Sequence, residues 1–163
     1  MKTVLIVGAS GLVGTAAANS FNRAGWRVLT CSRRPPQLVE DQPFRHIYLD
    51  IMDKVECETS LAEIREPITH LVYAAVQEVP GLIPGWGDPS QIHLNGQMLT
   101  NVMEPLLRTS NLEHVTILQG TKAYGGSVAQ MRVPAKESQT RVDHPNFYWL
   151  HEDYVRKKAV EFN

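Results

Sequence analysis

Five short apolar runs, rich in β-branched residues and separated by helix-patterned or polar stretches, constrain this chain more than any other feature. They are TVLIVG (3–8), WRVLTCS (26–32), FRHIYLD (44–50), THLVYAAV (69–76) and HVTILQG (114–120). Helical spacing fills three of the gaps, over residues 12–23, 55–65 and 91–109. In the third, Met98, Val102 and Leu106 share a face with Asn95, Leu99 and Met103, so Asn95 is expected to point inward. The gap between the second and third runs carries Pro35, Pro36 and Pro43 and reads as a loop or at most a brief helix. Strands alternating with helices predict an α/β fold, a Rossmann-like doubly wound parallel sheet of about five strands with helices on both faces.

The 163 residues read as one domain, 1–163, enough to bury roughly 70% of the surface an unfolded chain of this size exposes. A formal charge of −1, from 16 basic and 17 acidic residues, provides no field to draw the chain to nucleic acid or to a membrane surface. A small neutral or anionic ligand is the better match. Cys31 and Cys57 share no motif spacing, which suits a reducing compartment, and no metal ligands are expected. The first apolar run is too short for a signal peptide, and no stretch is long enough to span a bilayer, so the expected location is cytoplasmic. Two long loops, VPGLIPGWGDPS and GGSVAQMRVPAKESQTRVDHP, have the length of functional rather than idle connections.

Gly8, Gly11 and Gly14 in VGASGLVG follow the first strand and open the first helix. A dinucleotide-binding turn needs glycine there for backbone freedom, for close approach of the pyrophosphate and for tight packing of helix on sheet. Ser10, Leu12 and Val13 complete the expected turn. The second run ends in Ser32-Arg33-Arg34, where an acidic residue would favour NAD. Guanidinium groups match a phosphate in geometry and charge, so the 2′-phosphate of NADP(H) is the expected partner, against the plainer reading of a solvated basic loop. Asp50 and Ile51 at the end of the third run would lie beside the adenine, although an aspartate at a strand end is just as often a turn or cap residue; Ala74 and Ala75 in the fourth run, and Gln119 and Gly120 ending the fifth, complete the expected cofactor contacts.

Open α/β sheets bind ligands at the carboxyl ends of their strands, and Lys122 follows the fifth run directly. A lysine there either hydrogen-bonds a ribose and favours the ionised form of a nearby tyrosine, or is a solvent-facing loop residue. Two tyrosines compete for the site in NFYWLHEDYVRKK. Tyr154 and Lys158 form a Y-x-x-x-K pair, while Tyr148 has Glu152 where the lysine would stand.

GTKAYG together with VPAKESQTRVDHPNFYWLHEDYV resembles the progesterone 5β-reductase and iridoid synthase-like family of atypical extended short-chain dehydrogenases/reductases. GASGLVG, SRR, the LD of the third run and GWGDPSQ ahead of Asn95 fall in the same order, and NFYWLHED is the most specific piece. The resemblance implies that Tyr148 is the catalytic tyrosine, that it is also a cofactor contact, and that Lys122 is its partner. Tyr154 and Lys158 would then be an i, i+4 pair facing the sheet or solvent. The implied chemistry is NADPH-dependent 1,4-reduction of an enone, with Tyr148 hydrogen-bonding the carbonyl oxygen as enolate charge develops. Carbonyl reduction needs the same contact. Asn95 would either brace this site through a water or satisfy backbone groups. Family members are considerably longer, so this chain is expected to lack their further strands and substrate lobe, leaving an open sheet edge for a second copy or a partner to cover. Three alternatives stay open: an NADP-binding module or subunit without turnover, a non-redox isomerase or cyclase, and a sugar-nucleotide epimerase or dehydratase working through Tyr154 and Lys158.

Overall fold

The structure, a computed structural model, describes residues 1–38, 43–79, 84–126, 128–139 and 141–162. Its elements run β1 (Thr3–Val7), α1 (Leu12–Arg23), β2 (Arg27–Ser32), β3 (Arg45–Tyr48), α2 (Lys54–Ala62), β4 (His70–Tyr73), α3 (Pro89–Thr109), β5 (His114–Ile117) and α4 (Phe147–Lys158). Short 3₁₀ turns cover Pro84–Gly87, Thr121–Tyr124 and Ala159–Glu161. All five predicted strands form one parallel sheet in the order β3-β2-β1-β4-β5. The order reverses around β1, which pairs with β2 on one side and β4 on the other.

β1 is buried along its whole length, which is why it reads as an unbroken apolar run rather than an alternating one. Its side chains still divide by the period of two. Leu5 and Val7 join Leu29, Leu71, Leu61, Leu99 and Val102 in the larger core, while Val4 and Ile6 join Val28, Val72 and Ala18 of α1 in the smaller one. One face is therefore packed by α1 and the other by α2 and α3, as a doubly wound sheet requires. On α3 the spacing expectation holds, with Asn95, Met98, Leu99, Val102, Met103 and Leu106 all buried.

The boundaries differ from the sequence reading in three places. α3 begins at Pro89, because Asp88 accepts hydrogen bonds from the amides of Ser90 (2.8 Å) and Gln91 (2.9 Å), and proline is well suited to the first helical position. α2 begins one residue early, capped by Asp53 on the Glu56 amide at 3.0 Å, and ends at Ala62. The third, fourth and fifth strands stop short of their apolar runs, at Tyr48, Tyr73 and Ile117. The residues left over, among them Asp50, Ala74, Ala75 and Gly120, leave the sheet at its carboxyl edge. In the proline-rich link the residues up to Leu38 form no helix, and Val39 to Gln42 lie outside the described residues, as do Pro80 to Ile83 of the first long loop.

Candidate cofactor and active site

The glycine turn is built on two close approaches. Gly8 has φ of +81°, and a Cβ there would lie 2.7 Å from the backbone nitrogen of Ala75; at Gly14 a Cβ would lie 2.3 Å from the Gly8 carbonyl oxygen. Neither position admits a side chain without moving backbone. Thr15 locks the turn, its hydroxyl donating to the Ala9 carbonyl at 2.9 Å. Gly11 differs, since a Cβ there would meet Gly8 at an ordinary 3.4 Å. It is the N-cap of α1, with no side chain to take up the free amides of the first turn and no acidic residue within that turn. Leu12 and Val13 turn their side chains to solvent. The α1 N-terminus therefore presents unobstructed donors and the positive end of its dipole.

A cleft of about 210 Å³ opens beside this turn at the carboxyl edge of the sheet. Gly8, Ser10 and Gly11 line it from the turn, Ser32 and Arg33 from the end of β2, Asp50 and Ile51 from beyond β3, and Ala74 and Ala75 from beyond β4. The sequence reading had these together and omitted Val7, Cys31, Leu49, Met52, Val76, Gln77 and Met98, which line the same cleft. Val76 belonged to the fourth apolar run and Met98 to the inward face of α3, so a signal existed for both. The Ser32 hydroxyl donates to the Arg34 carbonyl at 2.6 Å and fixes the arginine turn. Both guanidinium groups are exposed and, among the described residues, neither is paired with a carboxylate. Asp50 both lines the cleft and accepts from the Met52 amide at 3.1 Å. These donors, the Arg33 cation and the small residues of the turn are of the kind that fit a phosphate-bearing dinucleotide.

A second group of residues gathers where β5 meets α4. Asn146 caps α4 by accepting from the Tyr148 amide at 3.0 Å, and its Nδ2 donates to the Lys122 carbonyl at 3.2 Å. One buried side chain thus joins the two segments that carry Tyr148 and Lys122. The Tyr148 hydroxyl lies 3.7 Å from the point where a Cβ on Gly120 would sit. The Lys122 ammonium rests 3.1 Å from the centroid of the Trp86 ring, and Tyr148 meets the same ring edge-on at 5.2 Å. Burial lowers the Lys122 pKa, opposed by the Glu78 carboxylate. Burial raises the Tyr148 pKa, and Glu78 adds to it. Among the described residues no hydrogen bond joins Lys122 to Tyr148, and Lys122 is not among the influences on the phenol, which burial and Glu78 shift away from ionisation.

Asn95 has a different occupation from a catalytic one. Its Oδ1 accepts from the Gln77 amide, and its Nδ2 donates to the carbonyls of Gln77 and Gln91, each at 2.9 Å. Of the two readings left open, the backbone-satisfying asparagine is the one these bonds give. Gln119 turns toward α4, its Nε2 donating to the Tyr148 carbonyl at 3.4 Å and to Glu152 at 3.3 Å. With Gly120 it lines a separate space of about 680 Å³ beyond β5, shared with Arg141, Trp149 and Glu152.

Tyr154 and Lys158 are committed elsewhere. The Tyr154 hydroxyl donates to Glu104 at 2.7 Å, and Lys158 pairs with Glu104 at 3.2 Å and Glu161 at 3.1 Å. Burial first, then the Glu104 bond, pushes the Tyr154 pKa far up. The Y-x-x-x-K pair therefore binds α4 to α3, where the sequence reading had expected the sheet or solvent.

A parallel sheet reversing at β1, a glycine turn against a bare helix N-terminus and a cleft at the strand ends define a dinucleotide-binding α/β protein. The chain matches the NAD dependent epimerase/dehydratase family over residues 4–159 and belongs to it. The (S)-8-oxocitronellyl enol synthase of Nepeta racemosa is 32% identical over 94% of this chain, and the 3-oxo-Delta(4,5)-steroid 5-beta-reductase of Arabidopsis thaliana is 29% identical over 94%. These are relatives of the kind that the NFYWLHED and GTKAYG motifs resemble. The chain spans 41% of the length of each. Among solved structures, UDP-glucose 4-epimerase from Bifidobacterium longum, in complex with NAD+ and UDP, superposes with a TM-score of 0.77 at 17% identity. That match covers 98% of this chain and 49% of the epimerase, and the likeness is one of fold. No helix among the described residues is long and apolar enough to cross a membrane.

Proposed function

We propose that this chain carries the NADPH-binding and acid-donating part of an enone reductase. The observation that carries the reading is the half-buried Tyr148 hydroxyl, which lies beside Gly120 at the carboxyl end of β5; a phenol is protonated near neutral pH in any case, and burial shifts it further that way. When bound, the reduced nicotinamide supplies hydride to the β-carbon of the enone. Tyr148 donates a hydrogen bond to the carbonyl oxygen, where negative charge builds as the enolate forms. A neutral phenol is the state this role requires. Lys122 holds the ribose side of the site and Asn146 fixes its backbone to the start of α4. Arg33 and Arg34 select the 2′-phosphate, which favours NADPH over NADH.

The relatives named above support a reductase of this superfamily, and the commitment of Tyr154 to Glu104 counts against a reaction run through the Y-x-x-x-K pair. The test is a fluorescence titration with NADPH and NADH, followed by loss of reduced-nicotinamide absorbance when enones are supplied. NADPH is expected to bind more tightly, and the Arg33→Ala/Arg34→Ala double variant to lose that preference. Tyr148→Phe should lower turnover roughly 10²- to 10³-fold, the loss typical for one oxyanion donor, with Tyr154→Phe close to the parent. Equal losses in the two tyrosine variants would sink the assignment. Tight NADPH binding without any turnover would instead favour a binding module.

A further inference from the structure

Lys122 has no hydrogen bond or ion pair to its ammonium among the described residues; what receives it is the face of Trp86, 3.1 Å from ring centroid to Nζ. The indole is itself held from three sides. Its Nε1 donates to Glu78 Oε1 at 2.9 Å, its face lies over Phe147 at 4.7 Å and 30°, and Tyr148 meets it edge-on at 5.2 Å and 70°. Trp86 as a whole is 9% exposed. An aromatic face attracts a cation through its quadrupole, and more strongly when water is excluded. The Glu78 carboxylate, bonded to the same indole, adds a negative charge that favours the ammonium form. A lysine stem is otherwise a flexible tether whose head samples solvent.

We propose that Trp86 is a positioning residue for the Lys122 and Tyr148 pair, seating the ammonium on its face and the phenol ring against it before ligand arrives. The inference rests on the reading of those two residues as the working pair. One rigid side chain then sets the placement of both, and the GWGDPSQ segment that the sequence singled out has a task in the site. Removing the ring leaves Lys122 without a seat and Tyr148 without one wall.

The test is spectroscopic and needs no turnover. The lysines are reductively methylated with a ¹³C label, which keeps them cationic, and their N-methyl resonances are recorded on the folded chain. One resonance should lie upfield of the others, shifted by the indole ring current, and should vanish in Lys122→Arg, which fixes its assignment. It should move to the common position in Trp86→Leu and keep part of its shift in Trp86→Phe. In parallel, Trp86→Leu should weaken NADPH binding on the order of tenfold, with Trp86→Phe restoring most of it. A Lys122 resonance without an upfield shift in the parent chain overturns the proposal, whatever the stability of the variants, as does a shift that persists in Trp86→Leu. If Lys122→Arg leaves both NADPH binding and turnover intact, the reading of the working pair fails while the ring-current result stands, so the two failures are told apart.

Discussion

His151 is the residue where burial sets a pH response. It is 2% exposed on α4, its Nε2 donates to the Asn95 carbonyl at 2.8 Å, and Tyr73 and Phe147 pack against its ring. Burial lowers its pKa, partly offset by the Asn95 bond, and burial also lowers those of His46 and His70. A histidine kept neutral in the fold takes up a proton on unfolding once the pH falls below about 6.5, so the unfolded chain binds more protons in that range. The stability gained by burying it neutral is present above that value and is lost as the pH falls toward the lower folded pKa. The unfolding free energy from urea titrations is expected to drop between about pH 7 and about pH 5.5, by up to roughly 1.4 kcal/mol per pH unit for His151 and by less for the more solvated His46 and His70. His151→Gln should flatten that slope. A parent profile that is level across the same interval would contradict the argument.

At the scale of elements, α4 is fastened at its start by Asn146, in its middle by His151 on Asn95, and at its end by Tyr154 and Lys158 on Glu104. Only the first fastening also reaches the Lys122 segment. Asn146→Ala should cost about 1 kcal/mol, the usual worth of an N-cap, while Asn146→Ser restores a capping oxygen and recovers most of it. Unfolding curves of the two variants decide the matter. A serine variant no more stable than the alanine one would place the worth of Asn146 in its bond to the Lys122 carbonyl instead of in the cap. The glycine turn belongs to the same scale. Its tolerance differs by position, because a Cβ on Gly14 would lie only 2.3 Å from the Gly8 carbonyl oxygen whereas one on Gly11 has ordinary room at 3.4 Å. Gly14→Ala should therefore destabilise the fold by about 1 to 3 kcal/mol, as overpacking does, and Gly11→Ala should cost less, about 0.5 kcal/mol for an alanine at an N-cap, while weakening NADPH binding.

For the whole molecule, stability should decline from the middle of the sheet outward. β1 is paired on both sides and fully buried, whereas among the described residues β3 and β5 each pair on one side only. Native-state amide exchange should find β1 and β4 most protected and β3 and β5 first to open; uniform protection across the sheet would refute that order. Much of this architecture was legible in the chain itself. The five runs, the turn at Gly8, Gly11 and Gly14, and the inward face of α3 follow from rules that act within a few residues: the period of a strand, the period of a helix, and the φ that glycine allows. The strand ends were misjudged for a related reason, since an apolar run does not say where pairing stops and the cleft begins. The assignments that needed the tertiary structure all join segments far apart in sequence. Glu104 engages the Y-x-x-x-K pair, Gln77 occupies Asn95, and Trp86 brings Lys122 beside Tyr148. Sequence determined the sheet, the cofactor turn and the candidates for the site. Only folding decided which of those side chains already had partners, because a hydrogen bond or ring contact depends on distances that the order of residues does not contain.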